Sequence, residues 1–342
     1  MTRLRAAHFV ICSVLVSGCG RFSQTRSGTP TVEPQWQDAL DGPPDLLVAI
    51  RPRAARRDSV VGPLLERLID TGRQRSRIIA STRMLEVMED ADEVIVSLHG
   101  SEDRTGLSLG PGDLLVVRGV RADVDPARLV DGDGNMLWSE GPNGPVRELV
   151  RDHASDVAMP QDASLFELPS RTWVIATGAA RVHARQAFAR PTSKQDPGGW
   201  TDGLASAHLD GHALARRLPD LHRYTEFGPI LRNLTSVDFL LPSGSERSIR
   251  VTLKYASPGA ASQAESTVRS VLLAVGHVNS LPPMWRYALT MARVTWEGKS
   301  TIVTDVPWPT KSASESSPAL DHGAESTPND AAGGLMETRP SL

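Results

Sequence analysis

Two stretches decide how this chain is read: Val61-Gly62-Pro63-Leu64-Leu65-Glu66-Arg67-Leu68 and Phe227-Gly228-Pro229-Ile230-Leu231-Arg232-Asn233-Leu234. Both run apolar-Gly-Pro-aliphatic-Leu-x-x-Leu. Pro suits a first helical turn, where its missing N–H would be unpaired anyway. The Leu spacing then gives one apolar helical face. Each stretch follows a strand-like run, Asp45 to Ile50 in one case and Leu204 to Leu209 in the other. Two further strand-like runs come after each: Glu93 to Leu98 and Leu114 to Val120, then Val237 to Leu241 and Ile249 to Tyr255. Each half closes on a hairpin, Leu165 to Leu168 into Thr172 to Ala176, and Arg293 to Trp296 into Thr301 to Thr304.

Between strands and hairpin, the second half carries a helix from Ser262 to Val275, with Val268, Val271, Leu272 and Val275 at i, i+3, i+4 and i+7. The first half has Pro126 to Val130 in that slot and an extra short strand and helix over Ile78 to Asp90. The expected fold is therefore α+β: an internal repeat of two similar lobes, each a mainly antiparallel sheet with helices packed on one face. The lobes are expected at 45–190, ending in a helix from Ala179 to Arg190 read as a link between the halves, and at 204–309, with a polar linker at 191–203. Residues 19–44 are rich in Gly, Pro, Ser and Thr and read as a tether. Residues 310–342 have no aromatic residue and few large aliphatics, too little apolar surface to offset ordering entropy, so they read as a disordered acidic tail.

Composition narrows the function. Of 342 residues, 40 % are apolar and 5 % aromatic, and both cysteines lie in the first twenty positions. That excludes a disulfide scaffold and a cysteine-ligated metal centre. With 37 basic and 40 acidic residues the net charge is −3, so no global field favours nucleic acid.

The leader is more specific. Arg3 and Arg5 precede the apolar run Phe9 to Val16, which is far short of the roughly 20 residues of a spanning helix. Ser17 and Gly18 follow, the layout of a secretory signal peptide over residues 1–18. Val16-Ser17-Gly18-Cys19 resembles the lipobox of bacterial lipoproteins, with Val at the position where Leu is more usual. The resemblance covers residues 1–20 alone. It implies cleavage before Cys19, acylation of that residue with palmitate-like chains, and anchoring in a membrane. Gly20 rather than Asp after the cysteine implies the outer membrane, with the body facing the periplasm.

Candidate chemistry is sparse. His208 and His212 stand four apart, as in zinc-binding helices, but Leu209 occupies the general-base position and Gly211 lies between them. Asp210 reads instead as the N-cap of a short helix from Ala213 to Leu218. Asp131-Gly132-Asp133-Gly134-Asn135 is turn chemistry leading into Met136-Leu137-Trp138, since Met136 and Pro142 fill positions where a calcium loop needs Gly and Glu. Asp152, His153, Ser155 and Asp156 are too close in sequence to read as a triad, and no Gly-x-Ser-x-Gly elbow is present. No catalytic residue, metal or cofactor is expected.

Charge clusters once. Nine arginines, Arg51, Arg53, Arg56, Arg57, Arg67, Arg73, Arg75, Arg77 and Arg83, oppose Asp58, Glu66 and Asp70, and the acidic Glu86, Glu89, Asp90, Asp92 and Glu93 follow. One reading is mutual neutralisation across neighbouring helices. The other is a face for an anionic partner, carried by Arg51, Arg53, Arg56 and Arg57. The expected function is a lipid-anchored, non-catalytic binding or structural module of the cell envelope, with an envelope protein or polymer as partner and no nucleic acid. The alternatives are a hydrolase whose site is assembled from distant residues and a carrier of lipids or small molecules.

Overall fold

The computed structural model describes residues 33–58, 61–63, 66, 82–100, 109–130, 134–151, 162–191, 203–217, 228–244, 248–277 and 282–308. The leader, Cys19, Asp152 to Asp156, the linker after residue 191 and the tail lie outside the described residues.

The protein is α+β, with one large antiparallel sheet. Its strands are β1 Leu46–Ile50, β2 Glu93–Leu98, β3 Leu114–Arg118, β4 Trp138–Glu140, β5 Arg147–Arg151, β6 Ser164–Leu168, β7 Thr172–Ala176, β8 Gly203–Asp210, β9 Leu234–Pro242, β10 Ser248–Tyr255, β11 Arg293–Trp296 and β12 Thr301–Pro307. The helices are α1 Pro52–Arg57, α2 Thr82–Glu89, α3 Gly178–Ala189, α4 Gly211–Arg217, α5 Gly228–Leu231, α6 Pro258–Gly276 and α7 Pro283–Thr290. Across the sheet the order is β11-β12-β10-β9-β8-β1-β2-β3-β7-β6-β5-β4.

That order has a centre. Outward from β1 it runs β2, β3, β7, β6; outward from β8 it runs β9, β10, β12, β11. Gly62-Pro63, in a helical turn at residues 61–63, precedes β2, and Gly228-Pro229 at the start of α5 precedes β9. Their surroundings differ. A Cβ on Gly62 would lie 2.6 Å from the Arg56 carbonyl oxygen, whereas one on Gly228 would meet nothing within 4 Å. The halves share one sheet, because β1 and β8 pair antiparallel from Leu46↔Leu209 to Ile50↔Ala205.

Helices on one face hold for the second half and fail for the first. In β10 the side chains alternate: Val251, Leu253 and Tyr255 pack under α5 and α6, while Arg250, Thr252 and Lys254 point the other way. Ser257 caps α6 by accepting from the Ala260 N–H, and Pro258 occupies the first turn. Ala260, Ala261 and Ala264 then let the helix approach the sheet closely. In the first half, β3 and β7 are apolar at both parities, Leu114-Leu115-Val116-Val117 and Trp173-Val174-Ile175-Ala176. Both faces must therefore be covered. Leu115, Val117, Trp173 and Ile175 pack against Met84 and Val87 of α2 and against Leu129 and Trp138. Leu114, Val116, Val174 and Ala176 pack against Ala180, Ala184 and Phe188 of α3 and against Trp36 and Ala39.

Two further expectations are corrected by this second cover. Helix α3 lies on the sheet of the first half instead of acting as a link between halves. The expected tether does not extend to residue 44: Trp36–Ala39 is a 3-10 turn with all four residues buried, and Trp36 and Ala39 share the core beneath α3. Strands β4 and β5 and helix α7 were not foreseen. The first two lengthen the sheet edge beyond β6, and α7 brings Trp285 edge-on to Trp308 at 5.4 Å.

One ion pair pins α3 to the sheet. Glu148 of β5 is 4 % exposed and accepts from Arg185 Nε at 2.7 Å, from a second Arg185 nitrogen at 2.5 Å and from Ser164 Oγ at 2.8 Å. Burial pushes its carboxyl up, and the bonds from Arg185 and Ser164 outweigh this and hold it below its ordinary 4.5. A carboxyl lowered in the folded state contributes stability that is complete above its unfolded pKa and is lost as pH falls through the folded value. Arg185→Ala is expected to cost about 2–3 kcal/mol at neutral pH, measured by urea unfolding, because Glu148 is left buried and without its cation. The gap to the unsubstituted protein should close in acid below the ordinary carboxyl value; a gap independent of pH would refute the assignment.

Candidate functional site

Antiparallel pairing brings four chain segments to one end of the sheet. The C-terminal end of β1, the start of β2, the end of β3 and the start of β7 lie side by side, with the register Glu93↔Arg118 and Arg118↔Thr172. Helix α1 begins two residues after β1, and the turn between β6 and β7 presents Ser170 and Arg171. Together they form an open cleft of about 560 Å³. Among the described residues Arg51, Arg53, Arg57, Arg118 and Arg171 line it, together with Asp92 and Glu93, five cations facing two anions.

The arginines are placed by the main chain. The Arg51 N–H donates to the Leu204 carbonyl at 2.9 Å, across the junction with β8. The Arg53 N–H donates to Ala91, and the carbonyls of Arg118 and Arg171 accept from Asp92 and Val120 at 2.9 and 3.1 Å. Ser170 and Arg171 both hold positive φ, at 61° and 56°, a conformation uncommon for residues other than glycine. Gly119 makes close packing achievable: at φ 71° its Cα lies so near Asp92 that a Cβ would sit 2.0 Å from Oδ2. Asp92 can then reach Arg53 at 2.5 Å, and Arg53 also bonds the Asp90 carbonyl.

The side chains divide into two sets. Arg53 and Arg118 are held, by Asp92 and by Glu93 at 2.5 Å each. Arg51, Arg57 and Arg171 make no ion pair among the described residues, and Arg57 and Arg171 are exposed. Glu93 is 4 % exposed; one carboxylate oxygen meets Arg118, while Oε1 is buried with no hydrogen-bond partner. Among the described residues no His, Cys or Lys lines the cleft.

The structure divides the basic stretch between two directions. Arg56 turns away from the cleft toward α2, 3.5 Å from Glu89 and 3.8 Å from Asp90, which is local neutralisation. Arg51, Arg53 and Arg57 enter the cleft. Arg118 and Arg171 were missed, because the sequence separates them from α1 by more than sixty residues. The signal that could have found them is the strand register, since Arg118 follows the apolar run of β3 and pairs beside Glu93.

The two histidines do not converge. His208 lies in β8 and His212 in α4. The His208 Nδ1 is 2.5 Å from Asp238 Oδ1, its partner across the β8–β9 ladder, and Lys254 Nζ is 2.8 Å from the other oxygen. Burial pushes the Asp238 carboxyl up, but the bonds from His208 and Lys254 hold it below its ordinary value. Asp210 caps α4, accepting from the Ala213 N–H at 2.9 Å. Among the described residues no three His, Cys, Asp or Glu side chains are grouped to hold a metal. A second cavity, of about 280 Å³, is lined by Glu86, Asp90, Arg121, Asp123, Asp125 and Arg128. Its two arginines are taken up by Arg121–Asp123 at 2.7 Å and Arg128–Asp125 at 3.5 Å, and its described carboxylates outnumber them, so it does not suit an anion.

No family model matches the chain, and no curated protein matches it. Among solved structures, one titled "Structure of crystal form I of TP0453" is similar, with 11 % identity and a TM-score of 0.42, over 82 % of this chain and 94 % of that one.

Two outcomes are expected. Gly119→Ala should destabilise the protein by about 1–3 kcal/mol in urea unfolding, since it adds both a clash with Asp92 and strain at positive φ; an unchanged midpoint would contradict the close approach. Purified protein should hold no stoichiometric zinc by elemental analysis. One equivalent that disappears in His208→Ala would restore the metal reading.

Proposed function

We propose that this protein is a lipid-anchored, non-catalytic binding module of the cell envelope, held in the outer membrane through Cys19, whose body presents the arginine cleft to an anionic ligand facing the periplasm. The cleft is the observation that carries this reading. Five arginines from three parts of the chain line one concave site, and among the described residues three of them have no carboxylate partner. Guanidinium does not deprotonate and cannot act as a general base at neutral pH. Among the described residues no His, Cys or Lys lines the cleft, and its carboxylates Asp92 and Glu93 are engaged by Arg53 and Arg118, so these residues suit holding an anion better than acyl or phosphoryl chemistry. We also read the two halves as similar lobes fused through β1 and β8, a reading supported by their matching strand orders.

Among the described residues no helix is long and apolar enough to cross a membrane. In this reading attachment rests on the acyl chains of Cys19, each buried methylene contributing about 0.8 kcal/mol. Cys19→Ser should therefore move the protein from the membrane pellet to the soluble envelope fraction, and retention in the pellet after a high-salt wash would defeat the anchor. Binding is tested separately on dextran sulfate resin. Retention should fall with salt and drop in the variant combining Arg51→Ala, Arg57→Ala and Arg171→Asn. Equal retention of that variant would remove the cleft from the function.

A further inference from the structure

We propose that the cleft is occupied in cis by the acidic segment beyond Trp308, residues 310–342, and that an external anionic ligand binds by displacing it. The inference rests on the cleft being the binding site and adds the regulation of that site.

Strand register brings the exit of the chain to the cleft. Pro307 ends β12 opposite Ser248 of β10, and Gly203 starts β8 opposite Pro242 of β9. The β9–β10 pair Leu240↔Arg250 places all four at one end of the sheet. Ile50 of β1 pairs with Ala205 on one side and Val94 on the other, and Glu93, Arg118 and Thr172 continue the same row. The chain therefore leaves the sheet at the end where the cleft is built. Trp308 is buried with Leu204 and Leu241, in one apolar cluster with Val61. The Leu204 carbonyl accepts from the Arg51 N–H at 2.9 Å. The last described residue thus shares a cluster with the residue that holds the Arg51 main chain.

The segment carries the charge that the cleft lacks. Residues 310–342 hold Glu315, Asp321, Glu325, Asp330 and Glu337 against Lys311 and Arg339, a net charge of −3. In the cleft, Arg51, Arg57 and Arg171 make no ion pair among the described residues. They are spread out, Arg51 and Arg57 at the two ends of α1 and Arg171 in the β6–β7 turn. A compact anion would have to meet them at one point, whereas carboxylates spaced along an extended chain need not. The reach is sufficient. Strand β7 lies four strand spacings from β8, about 19 Å at roughly 4.8 Å each. Glu315 is seven residues past Trp308, an extended span of about 23 Å, and the later carboxylates reach further. With no aromatic residue and few large aliphatics, the segment has no core to join, so charge is what it offers. Its attachment beside the cleft gives an effective concentration on the order of millimolar, which fills a site through contacts that would be weak between separate molecules.

The test uses the full chain carrying Cys19→Ser, so that no acyl group contributes. It is compared with a chain ending at Pro309 and with a neutral-tail chain carrying Glu315→Gln, Asp321→Asn, Glu325→Gln, Asp330→Asn and Glu337→Gln. A fluorescein-labelled peptide of residues 310–342 is titrated against each by anisotropy at low ionic strength. The peptide should bind the shortened and neutral-tail chains at least about tenfold tighter than the intact chain, whose own segment competes. Binding should fall with salt, and should drop at least about tenfold when Arg51→Ala, Arg57→Ala and Arg171→Asn are combined in the shortened chain; Asn is used at 171 because it tolerates positive φ. On dextran sulfate resin, removing the segment should raise the salt needed for elution when the arginines are present, and should leave it unchanged in the triple variant. That comparison separates displacement from the cleft from a general repulsion by negative charge. Thermal midpoints check folding, and Arg57→Ala alone, at an exposed position, decides the matter if the triple variant does not fold. The proposal is overturned if the peptide binds neither shortened nor neutral-tail chain, if it binds the intact chain equally, if the arginine substitutions leave its affinity unchanged, or if the elution shift is the same without the arginines. Such a failure alongside salt-sensitive, arginine-dependent retention on dextran sulfate would leave the binding-module reading in place.

Discussion

Main-chain pairing between β1 and β8 is the constraint on which the remaining architecture depends. Strand β1 is Leu46-Leu47-Val48-Ala49-Ile50, with no charge and no proline. Left as the edge of a half-sheet, it would expose a row of unpaired N–H and C=O groups beside apolar side chains, a template for aggregation. Pairing with β8 makes both strands central. The consequences extend to the site. The first N–H past β1, that of Arg51, bonds Leu204 of β8, so the second half fixes where α1 starts. Val61, in the helical turn after α1, packs with Leu204, Leu241 and Trp308. A cleft lined by residues of the first half is thus positioned partly by the second.

Much of this fold was legible because strand periodicity is a local signal. The run Ser248-Ile249-Arg250-Val251-Thr252-Leu253-Lys254-Tyr255 alternates cleanly, and its apolar side chains pack as the alternation requires. The double cover of the first half was equally available in Leu114 to Val117 and Trp173 to Ala176, where neither parity is polar. It was overlooked because the repeat suggested that both halves share one layering. The buried turn at Trp36–Ala39 was hidden differently. A segment rich in Pro and Gly has no periodicity to betray it, and its order comes from α3, nearly 140 residues later. Strands β4 and β5 escaped for a related reason: Trp138–Glu140 is only three residues long, and the pairing that stabilises it is non-local.

The site was half legible for the same physical reason. Arg53 and Arg57 stand four apart, so one helical turn brings them together, as the sequence alone implies. Arg56 shares the cluster in sequence but not its direction, and the acidic end of α2 takes it. Arg118 and Arg171 join through ladder register, which a contiguous charge count cannot reveal. The histidine pair shows the converse case. The spacing of His208 and His212 suggests a site only if one helix contains both, and the strand-to-helix boundary between Asp210 and Gly211 removes that condition.

The division of the five arginines follows from depth. The Glu93 side chain is 6 % exposed and that of Arg118 is 40 %, so the carboxylate sits at the floor and the guanidinium leans outward from it. A guanidinium has five N–H donors, and the contact with Glu93 uses one nitrogen, leaving others directed elsewhere. Asp92 has the same relation to Arg53 but is itself 58 % exposed, so it restrains more weakly. A surface with one carboxylate per arginine would be locally neutral, and one with more, like the second cavity with Glu86, Asp90, Asp123 and Asp125 against Arg121 and Arg128, has little reason to take up an anion. A surface with none would leave long side chains to be ordered by the ligand, at about 0.5–1.5 kcal/mol for each immobilised chain. Two carboxylates for five arginines lies between these limits: among the described residues two guanidiniums are held by Asp92 and Glu93, and three have no carboxylate partner.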